Sequence, residues 1–323
     1  MQSSIGWLKR KNTPPKNSCE RKLNLILIKE GELVQKRKIQ GRFIFAVIFV
    51  LLVLSRAQAF VFVSLADSRG NDTGVNSGIL SRIVQQVAGD SPAFIVFSGD
   101  LIAGNPDNEI VKLQYNRWRK VMEPVLSRIP VYVIPGNHEI NGPGQNRIFQ
   151  EVFEMPENGP EGYEELCYSF DYENCHFVCL DTNYYGKFHR LGQLQYDWLK
   201  HDLAKTDREH IFVFGHEPAY PVGPHKGNSL DVYIQERDRF WNLLKEYKVK
   251  AYFCGHEHLY NRQLIDGVYQ VINGTCGAPI HRGYGGEFYH YALVSIIREK
   301  IEIVIKNENG AEKDRFFITG EAR

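Results

Sequence analysis

Short apolar runs alternate with longer amphipathic stretches from Phe60 onward. Runs that are apolar throughout are typical of strands buried on both faces, because a half-exposed strand alternates polar and apolar residues. The predicted strands are Phe60–Ala66, Ala93–Phe97, Val131–Ile134, Ile211–Phe214 and Val249–Cys254. Predicted helices lie between them, at Gly78–Val87, Glu109–Ser127, Leu191–Leu203 and Gln235–Tyr247. This repetition of strand and helix predicts a layered α/β fold.

The remainder of the chain is richer in strands and loops. Tyr168–Asp171 and Cys175–Asp181 are predicted to form a hairpin, and Cys167 and Cys179 beside it are either paired or simply buried thiols. Further strands are predicted at Val268–Ile272, Tyr291–Ile297 and Ile301–Ile305. Three loops rich in Gly and Pro, at Met155–Gly162, Pro221–Gly227 and Gly277–Gly286, either contact a substrate or only connect elements.

Residues 1–59 are interpreted as a basic leader, followed by one large domain at residues 60–323. An unbroken apolar run at Phe43–Leu54 follows a basic stretch and precedes the small-residue sequence Ala57-Gln58-Ala59. These are the parts of a secretory signal peptide, which predicts an exported protein, periplasmic or secreted. The segment before the run is long for a signal peptide, and a start at Val34 would give a usual length. The run is shorter than the about 20 apolar residues that span a bilayer; the alternative is an uncleaved membrane anchor at residues 43–54.

Charge is distributed unevenly along the 323 residues, although the net charge is only +1. Before Phe43 there are eleven Lys and Arg against three Glu, so the domain that follows is net acidic. An acidic domain argues against nucleic acid as a stable partner. No obligate protein partner is evident.

Each predicted buried strand is followed by residues that can bind a metal, in most cases next to a glycine. They are Asp67, Asp100, Asn137, His216, His256 and His258. In an open α/β sheet the crevice beyond the carboxyl ends of the strands binds ligands, so these side chains are expected to converge. Buried Asp and His without partners would cost several kcal/mol, and a bound cation would remove that cost.

The types of donor indicate which metals fit. Carboxylate, amide and imidazole ligands without a thiolate motif favour Mn, Fe or Zn. Six candidates exceed the three or four protein ligands of one tetrahedral ion, so two divalent or trivalent ions are expected. Paired ions about 3.5–4 Å apart activate water and stabilise an in-line displacement at phosphorus.

The ordered set of motifs resembles that of the calcineurin-like metallophosphoesterases. The motifs are Asp67, Gly99-Asp100, Gly136-Asn137-His138-Glu139, Gly215-His216 and Gly255-His256-Glu257-His258. Met155-Pro156, Tyr168-Ser169-Phe170 and His176-Phe177 resemble the purple acid phosphatase branch more weakly. The resemblance implies a four-layer α-β-β-α sandwich, in which two mixed sheets are flanked by helices.

The resemblance also implies roles for the residues. Asp67 and His258 would serve a first metal, and Asn137, His216 and His256 a second, with Asp100 bridging the two. His138 would face the substrate and protonate the leaving oxygen, a role that suits an imidazole. His225, on the loop after His216, is a candidate substrate contact.

One departure concerns the first metal. The family commonly has Asp-x-His where this chain has Asp67-Ser68-Arg69, and the tyrosine that the purple acid phosphatase branch uses instead is replaced by Ala103. The first metal therefore lacks a ligand: either water, Asn71 or a loop residue supplies it, or the site binds its metal weakly. Arg69 either contacts the substrate phosphate, whose oxygens its planar guanidinium matches, or pairs with a carboxylate.

These observations predict a metal-dependent phosphoester hydrolase, foremost a phosphomonoesterase, and the expected ligand is a small phosphorylated substrate. The alternatives are a phosphodiesterase acting on a nucleotide or lipid head group, and a non-catalytic binding module of the same fold.

Overall fold

Two six-stranded mixed sheets form the framework of the computed structural model, which describes residues 59–70 and 73–318. The strands are β1 (Ala59–Leu65), β2 (Arg69–Gly70), β3 (Gly74–Val75), β4 (Phe94–Ser98), β5 (Val131–Ile134), β6 (Tyr168–Tyr172), β7 (Cys175–Cys179), β8 (His210–Phe214), β9 (Ala251–Cys254), β10 (Tyr260–Ile265), β11 (Val268–Asn273), β12 (His290–Ile297), β13 (Lys300–Asn307) and β14 (Glu312–Ile318). The first sheet has the order β14-β13-β12-β1-β4-β5 and the second β10-β11-β9-β8-β7-β6, while β2 and β3 form a small hairpin.

The helices of the described residues cover the outer faces of the two sheets. They are α1 (Ser77–Asp90), α2 (Asn108–Leu126), α3 (Gln145–Val152), α4 (Gly192–Lys205) and α5 (Ile234–Glu246), with a 3-10 turn at Leu230–Tyr233. Helices α1 to α3 share an apolar core with the first sheet, and α4 and α5 share another with the second sheet. A third core lies between the sheets. The predicted four-layer α-β-β-α arrangement is therefore confirmed.

The alternation of side chains along a strand explains why the central strands are apolar throughout. In β4, Phe94 and Val96 lie in the core between the sheets, and Ile95 and Phe97 pack under the helices. Successive side chains of a strand point to opposite faces, so a strand covered on both sides needs an apolar residue at every position. The same division holds in β8, where Phe212 and Phe214 face the other sheet.

Several elements were not predicted. Helix α3 and the strands β10 and β14 are absent from the sequence-based prediction, as is the β2–β3 hairpin. Strand β10 alternates half-buried and exposed residues and β14 is largely exposed, so neither has the continuous apolar run of the central strands. The cysteines of the described residues are all free and buried, which supports the unpaired interpretation of Cys167 and Cys179.

The predicted leader and its apolar run at residues 43–54 lie outside the described residues, and so does Asn71. None of the helices within residues 59–70 and 73–318 is both long and apolar enough to cross a bilayer.

Candidate metal centre

The loops after five strands meet at one edge of the molecule. Strands β1, β4 and β5 are parallel neighbours in the first sheet, and β8 and β9 are parallel neighbours in the second. Their carboxyl ends therefore deliver residues to a common crevice. Backbone hydrogen bonds join the loops: the Asp67 N–H donates to the Gly99 carbonyl at 3.1 Å and the Gly255 N–H to the His216 carbonyl at 2.9 Å. All six predicted ligand residues lie in this crevice.

Several of these residues have unusual backbone conformations. Asp67, Asp100 and His256 have φ values of 60°, 53° and 68°, a region that costs non-glycine residues roughly 1–2 kcal/mol each. Adjacent glycines make room for the polar side chains. A Cβ atom on Gly136 would collide with the Asp100 carboxylate, and one on Gly255 with that of Asp67. Backbone strain of this kind clusters at functional sites, where the surrounding structure holds it in place.

Each of three histidines donates one ring N–H to a main-chain carbonyl. Nδ1 of His216 contacts the Ser98 carbonyl at 2.9 Å and Nδ1 of His258 that of Pro279 at 3.0 Å, whereas His256 uses Nε2 to contact the Asn228 carbonyl at 2.9 Å. A carbonyl can only accept, so the bonded nitrogen carries the proton and the other nitrogen keeps its lone pair. Metal-binding histidines are held in this way.

The remaining ring nitrogens point at oxygen donors. His216 Nε2 lies 3.0 Å from Asn137 Oδ1 and 3.2 Å from Asp100 Oδ1, and His256 Nδ1 lies 3.0 Å from the same asparagine oxygen. One oxygen or nitrogen atom from each of Asp67, Asp100 and His216 falls within 4.8 Å of the others. Lone pairs that face one another at these distances repel unless a cation lies between them. The donors around Asn137 therefore fit a metal ion.

The residues around His258 have a different arrangement. His258 Nε2 lies 3.4 Å from Asp67 Oδ1 and accepts a hydrogen bond from Arg69 Nε, also at 3.4 Å. The same Arg69 nitrogen lies 3.6 Å from Asp100 Oδ2. Arg69 therefore pairs with a carboxylate at the centre of the site.

His138 lies at the open side of the crevice. Its backbone N–H donates to Asp100 Oδ1 at 3.1 Å, and its Nδ1 contacts the Ala103 carbonyl at 2.6 Å. The ring is thereby oriented with Nε2 3.8 Å from Asp100 Oδ2, and the side chain is 27% exposed. His216, His256 and His258 are almost fully buried, so of these four imidazoles His138 is the one that an incoming substrate can reach.

Two further histidines extend the cluster. The ring of His225 lies 4.0 Å from that of His256, and the ring of His281 stacks at 4.4 Å on that of His258. Burial and the neighbouring His281 lower the pKa of His225 to about 4. Burial and Arg69 also lower the pKa of His281. The structure thus places the predicted substrate contact His225 at the wall of the crevice, with His281 beside it.

The two aspartates differ in charge preference. Burial and the nearby Asp100 raise the pKa of Asp67 well above its usual value. Asp100 is equally buried, but His216, His138 and Arg69 outweigh that burial and lower its pKa. The surroundings thus favour the ionised form of Asp100, whereas Asp67 needs a cation beside it to ionise fully.

Three buried glutamates support the site, and the sequence reasoning gave them no role. Glu139 accepts hydrogen bonds from the N–H groups of Asp100, Gly136 and Ile102 at 2.7, 2.7 and 3.0 Å. Glu257 accepts from the N–H of Gly223 and, at 2.9 Å, from that of His225. Glu217 accepts from Asn183 and His189. Each follows a motif histidine directly, which is the signal that could have identified them.

Comparisons with known proteins agree with this geometry. The family model for the calcineurin-like phosphoesterases matches residues 71–260. Purple acid phosphatase 23 of Arabidopsis thaliana is 30% identical over 76% of this chain and 56% of its own length. A probable glycerophosphodiester phosphodiesterase, GpdQ, of Arcobacter nitrofigilis is 29% identical over 59% of this chain and 64% of its own. The chain spans about half the length of the first purple acid phosphatase that it matches.

A solved structure shows the same fold. Purple acid phosphatase PPD1 from yellow lupin (Lupinus luteus) superimposes with a TM-score of 0.69 at 19% identity, covering 82% of this chain and 54% of that one. The family match covers more than half of the chain and includes the segments after β4, β5, β8 and β9. This chain belongs to the calcineurin-like phosphoesterase family.

Proposed function

We propose that this chain is a metal-dependent phosphoester hydrolase that acts on small phosphorylated substrates, with phosphate monoesters preferred. The observation that supports this most directly is the set of imidazole lone pairs facing carboxylate and amide oxygens beyond the carboxyl ends of the strands. Nitrogen and oxygen donors without thiolate favour Mn, Fe or Zn. The similarity to proteins named purple acid phosphatases favours a phosphatase reaction.

The donors that fit an ion best are those of Asp100, Asn137, His216 and His256. When bound, the metal supplies a hydroxide nucleophile and neutralises charge on the phosphoryl oxygens. The family resemblance adds Asp67 and His258 as ligands of a second ion. His216, His256 and His258 are each oriented by a carbonyl partner, which reduces the entropy lost when a ring binds an ion.

We assign proton transfer to His138. The Ala103 carbonyl accepts the Nδ1 proton at 2.6 Å, so the ring cannot rotate without losing that hydrogen bond. Its Nε2 faces the crevice and, when protonated, can donate to the leaving oxygen as the phosphorus–oxygen bond breaks. A positioned general acid typically contributes about 10²–10⁴-fold to the rate.

We assign contacts with the phosphate to Arg69 and His225. The Arg69 side chain is 22% exposed, and its guanidinium nitrogens other than Nε make no hydrogen bond within residues 59–70 and 73–318. The planar fork of an arginine matches two phosphoryl oxygens. His225 lies across the cluster, with its ring against His256. Together they would orient the phosphoryl group for in-line attack.

The test compares a nitrophenyl phosphate monoester with the corresponding diester, assayed with added Mn²⁺ and with Zn²⁺. We expect kcat/KM to be higher for the monoester, and His138→Ala to lower kcat by about 10²–10⁴-fold. His201→Ala is the matched control, because His201 is exposed on α4. The diesterase is the second candidate, favoured by the similarity to a probable phosphodiesterase. A preference for the diester would select it, and no turnover of either ester with bound metal would indicate a binding module.

We also propose that the protein is exported, with a signal peptide as the leader and no obligate protein partner. Sequencing of the mature N-terminus tests cleavage of the signal peptide, since a first residue upstream of Phe43 would exclude cleavage at Ala59.

A further inference from the structure

The position of the Arg69 side chain is fixed by its surroundings. Its backbone N–H donates to the Asp100 carbonyl at 3.2 Å, and Arg69 pairs with Val75 across the β2–β3 hairpin. From there the side chain extends into the crevice, where Nε contacts both His258 and Asp100. The guanidinium is thus a cation placed between two of the residues that the family resemblance assigns to the first metal.

The lone pair on Nε2 of His258 can bind only one partner, either a hydrogen-bond donor or a metal ion. Because Nδ1 of His258 donates to the Pro279 carbonyl, Nε2 is the acceptor of this ring. That nitrogen already accepts from Arg69 at 3.4 Å. A metal ion would need the same lone pair, so the ion and the arginine compete for His258.

Charge and the number of donors add to this competition. Two cations at hydrogen-bond distance from the same groups repel each other in a partly buried site, and a divalent ion repels the guanidinium more strongly than a monovalent ion does. Without His258, the first metal keeps only Asp67 and the shared Asp100. A metal ion in a protein usually needs three or four ligands from side chains. These residues do not fit a second ion while Arg69 lies among them.

We infer that the Arg69 guanidinium replaces the first metal ion, and that the chain binds a single ion at Asp100, Asn137, His216 and His256. This inference rests on the proposed function, because it concerns the same crevice. Asp67 and Asp100 are then neutralised by one fixed cation and one metal ion instead of two metal ions. The remaining N–H groups of Arg69 face the crevice as donors for a phosphoryl oxygen, and Lys could not reproduce this planar geometry.

The experiment measures metal content by elemental analysis on the full chain, purified without chelators, saturated with Mn²⁺ or Zn²⁺ and desalted. We expect one ion per chain for the parent protein. Arg69→His restores the family's Asp-x-His sequence and removes the competing charge, so we expect a second ion to bind. Arg69→Ala should also bind a second ion, at higher metal concentration, because water can complete the site. Arg117→Ala, which removes an exposed arginine on α2, is the control and should keep one ion.

His258→Ala provides an independent readout, with circular dichroism to confirm folding of every variant. If the Arg69 guanidinium takes the place of the first metal ion, the His258→Ala variant keeps its single ion. If His258 is a metal ligand, the metal content of this variant falls. Two ions in the parent protein would overturn the inference and leave the proposed function intact, as would one ion in both Arg69 variants. No ion in the parent under any loading condition would overturn the proposed function itself.

Discussion

Two groups of side chains in this protein combine buried imidazole with carboxylates, and they differ in what the ring nitrogens contact. In the crevice, His216, His256 and His258 each donate one N–H to a main-chain carbonyl. At the other group, His176 lies between two carboxylates, with Nδ1 2.7 Å from Asp171 and Nε2 2.8 Å from Asp202. Both groups combine imidazole with acidic residues, yet only the first leaves a lone pair for a metal.

The electrostatic consequence follows from these partners. Burial and Arg69 lower the pKa of His258 to about 2. Burial would also lower the pKa of His176, but hydrogen bonds to Asp202 and Asp171 outweigh it and raise that pKa above 6.5. Both ring nitrogens of His176 face carboxylate acceptors, so its surroundings favour the imidazolium, whereas those of His258 favour the neutral base. Burial and nearby acids alone do not distinguish the two groups; the atom bonded to each ring nitrogen does.

The largest loss of metal affinity is expected for His216→Ala. It removes the nitrogen that faces Asn137 Oδ1 and Asp100 Oδ1, one of the four donors that fit an ion best. Loss of a residue that merely supports a ligand typically costs 10–100-fold in metal affinity, so loss of this nitrogen should cost more than about 100-fold. Metal titration and the phosphatase assay measure it. The same change at His176 should leave metal affinity within about twofold, and equal losses at the two positions would remove the distinction between the groups.

An intermediate loss of metal affinity, together with a loss of stability, is expected for Glu139→Gln. In the crevice, this carboxylate binds backbone N–H groups instead of an imidazole, and it thereby joins the loops after β4 and β5. An amide NH₂ in place of one oxygen would face an N–H donor and leave it unsatisfied, at a cost of about 1–3 kcal/mol. We expect a lower midpoint of urea unfolding and a metal affinity reduced by about 10-fold.

The control for this variant is Glu154→Gln, since Glu154 is exposed. It should change neither quantity. If Glu139→Gln lowered stability without affecting metal affinity, Glu139 would support the fold and not the ligand geometry.

Much of the fold and the site could be predicted from the sequence because the central strands are buried on both faces. Their apolar runs are unambiguous. A polar residue at the end of such a run, such as Asp100 or His216, is costly to bury without a partner and therefore indicates a site. The edge strands β10 and β14 have partly exposed faces, so their residues carry no comparable signal. The position of the Arg69 guanidinium depends on contacts with His258, 189 residues away in the chain, and local sequence does not encode such a distance.

The smallest effect on the metal centre is expected for His176→Gln, and this variant separates the two groups by the pH dependence of stability. Because the pKa of His176 is raised in the folded protein, the stabilisation is fully present below the unfolded value of about 6.5 and is lost as pH rises through the folded value. At pH 5.5 to 6 the variant should be less stable than the parent by about 1.5–3 kcal/mol, the usual contribution of hydrogen bonds to charged groups. The difference should shrink towards pH 9. Arg208 also contacts Asp171 and holds its pKa low together with His176, so this carboxylate loses its contribution only at more acidic pH.

Urea unfolding of parent and variant from pH 5.5 to 9 measures this difference, with His201→Gln as a control that should show a constant offset. His201 is exposed on the same helix as Asp202. A difference that is independent of pH would mean that His176 is uncharged between its carboxylates, and the contrast with the crevice would then rest on geometry alone. Unchanged phosphatase activity in the variant would show that a buried histidine beside two aspartates contributes to stability without contributing to the reaction.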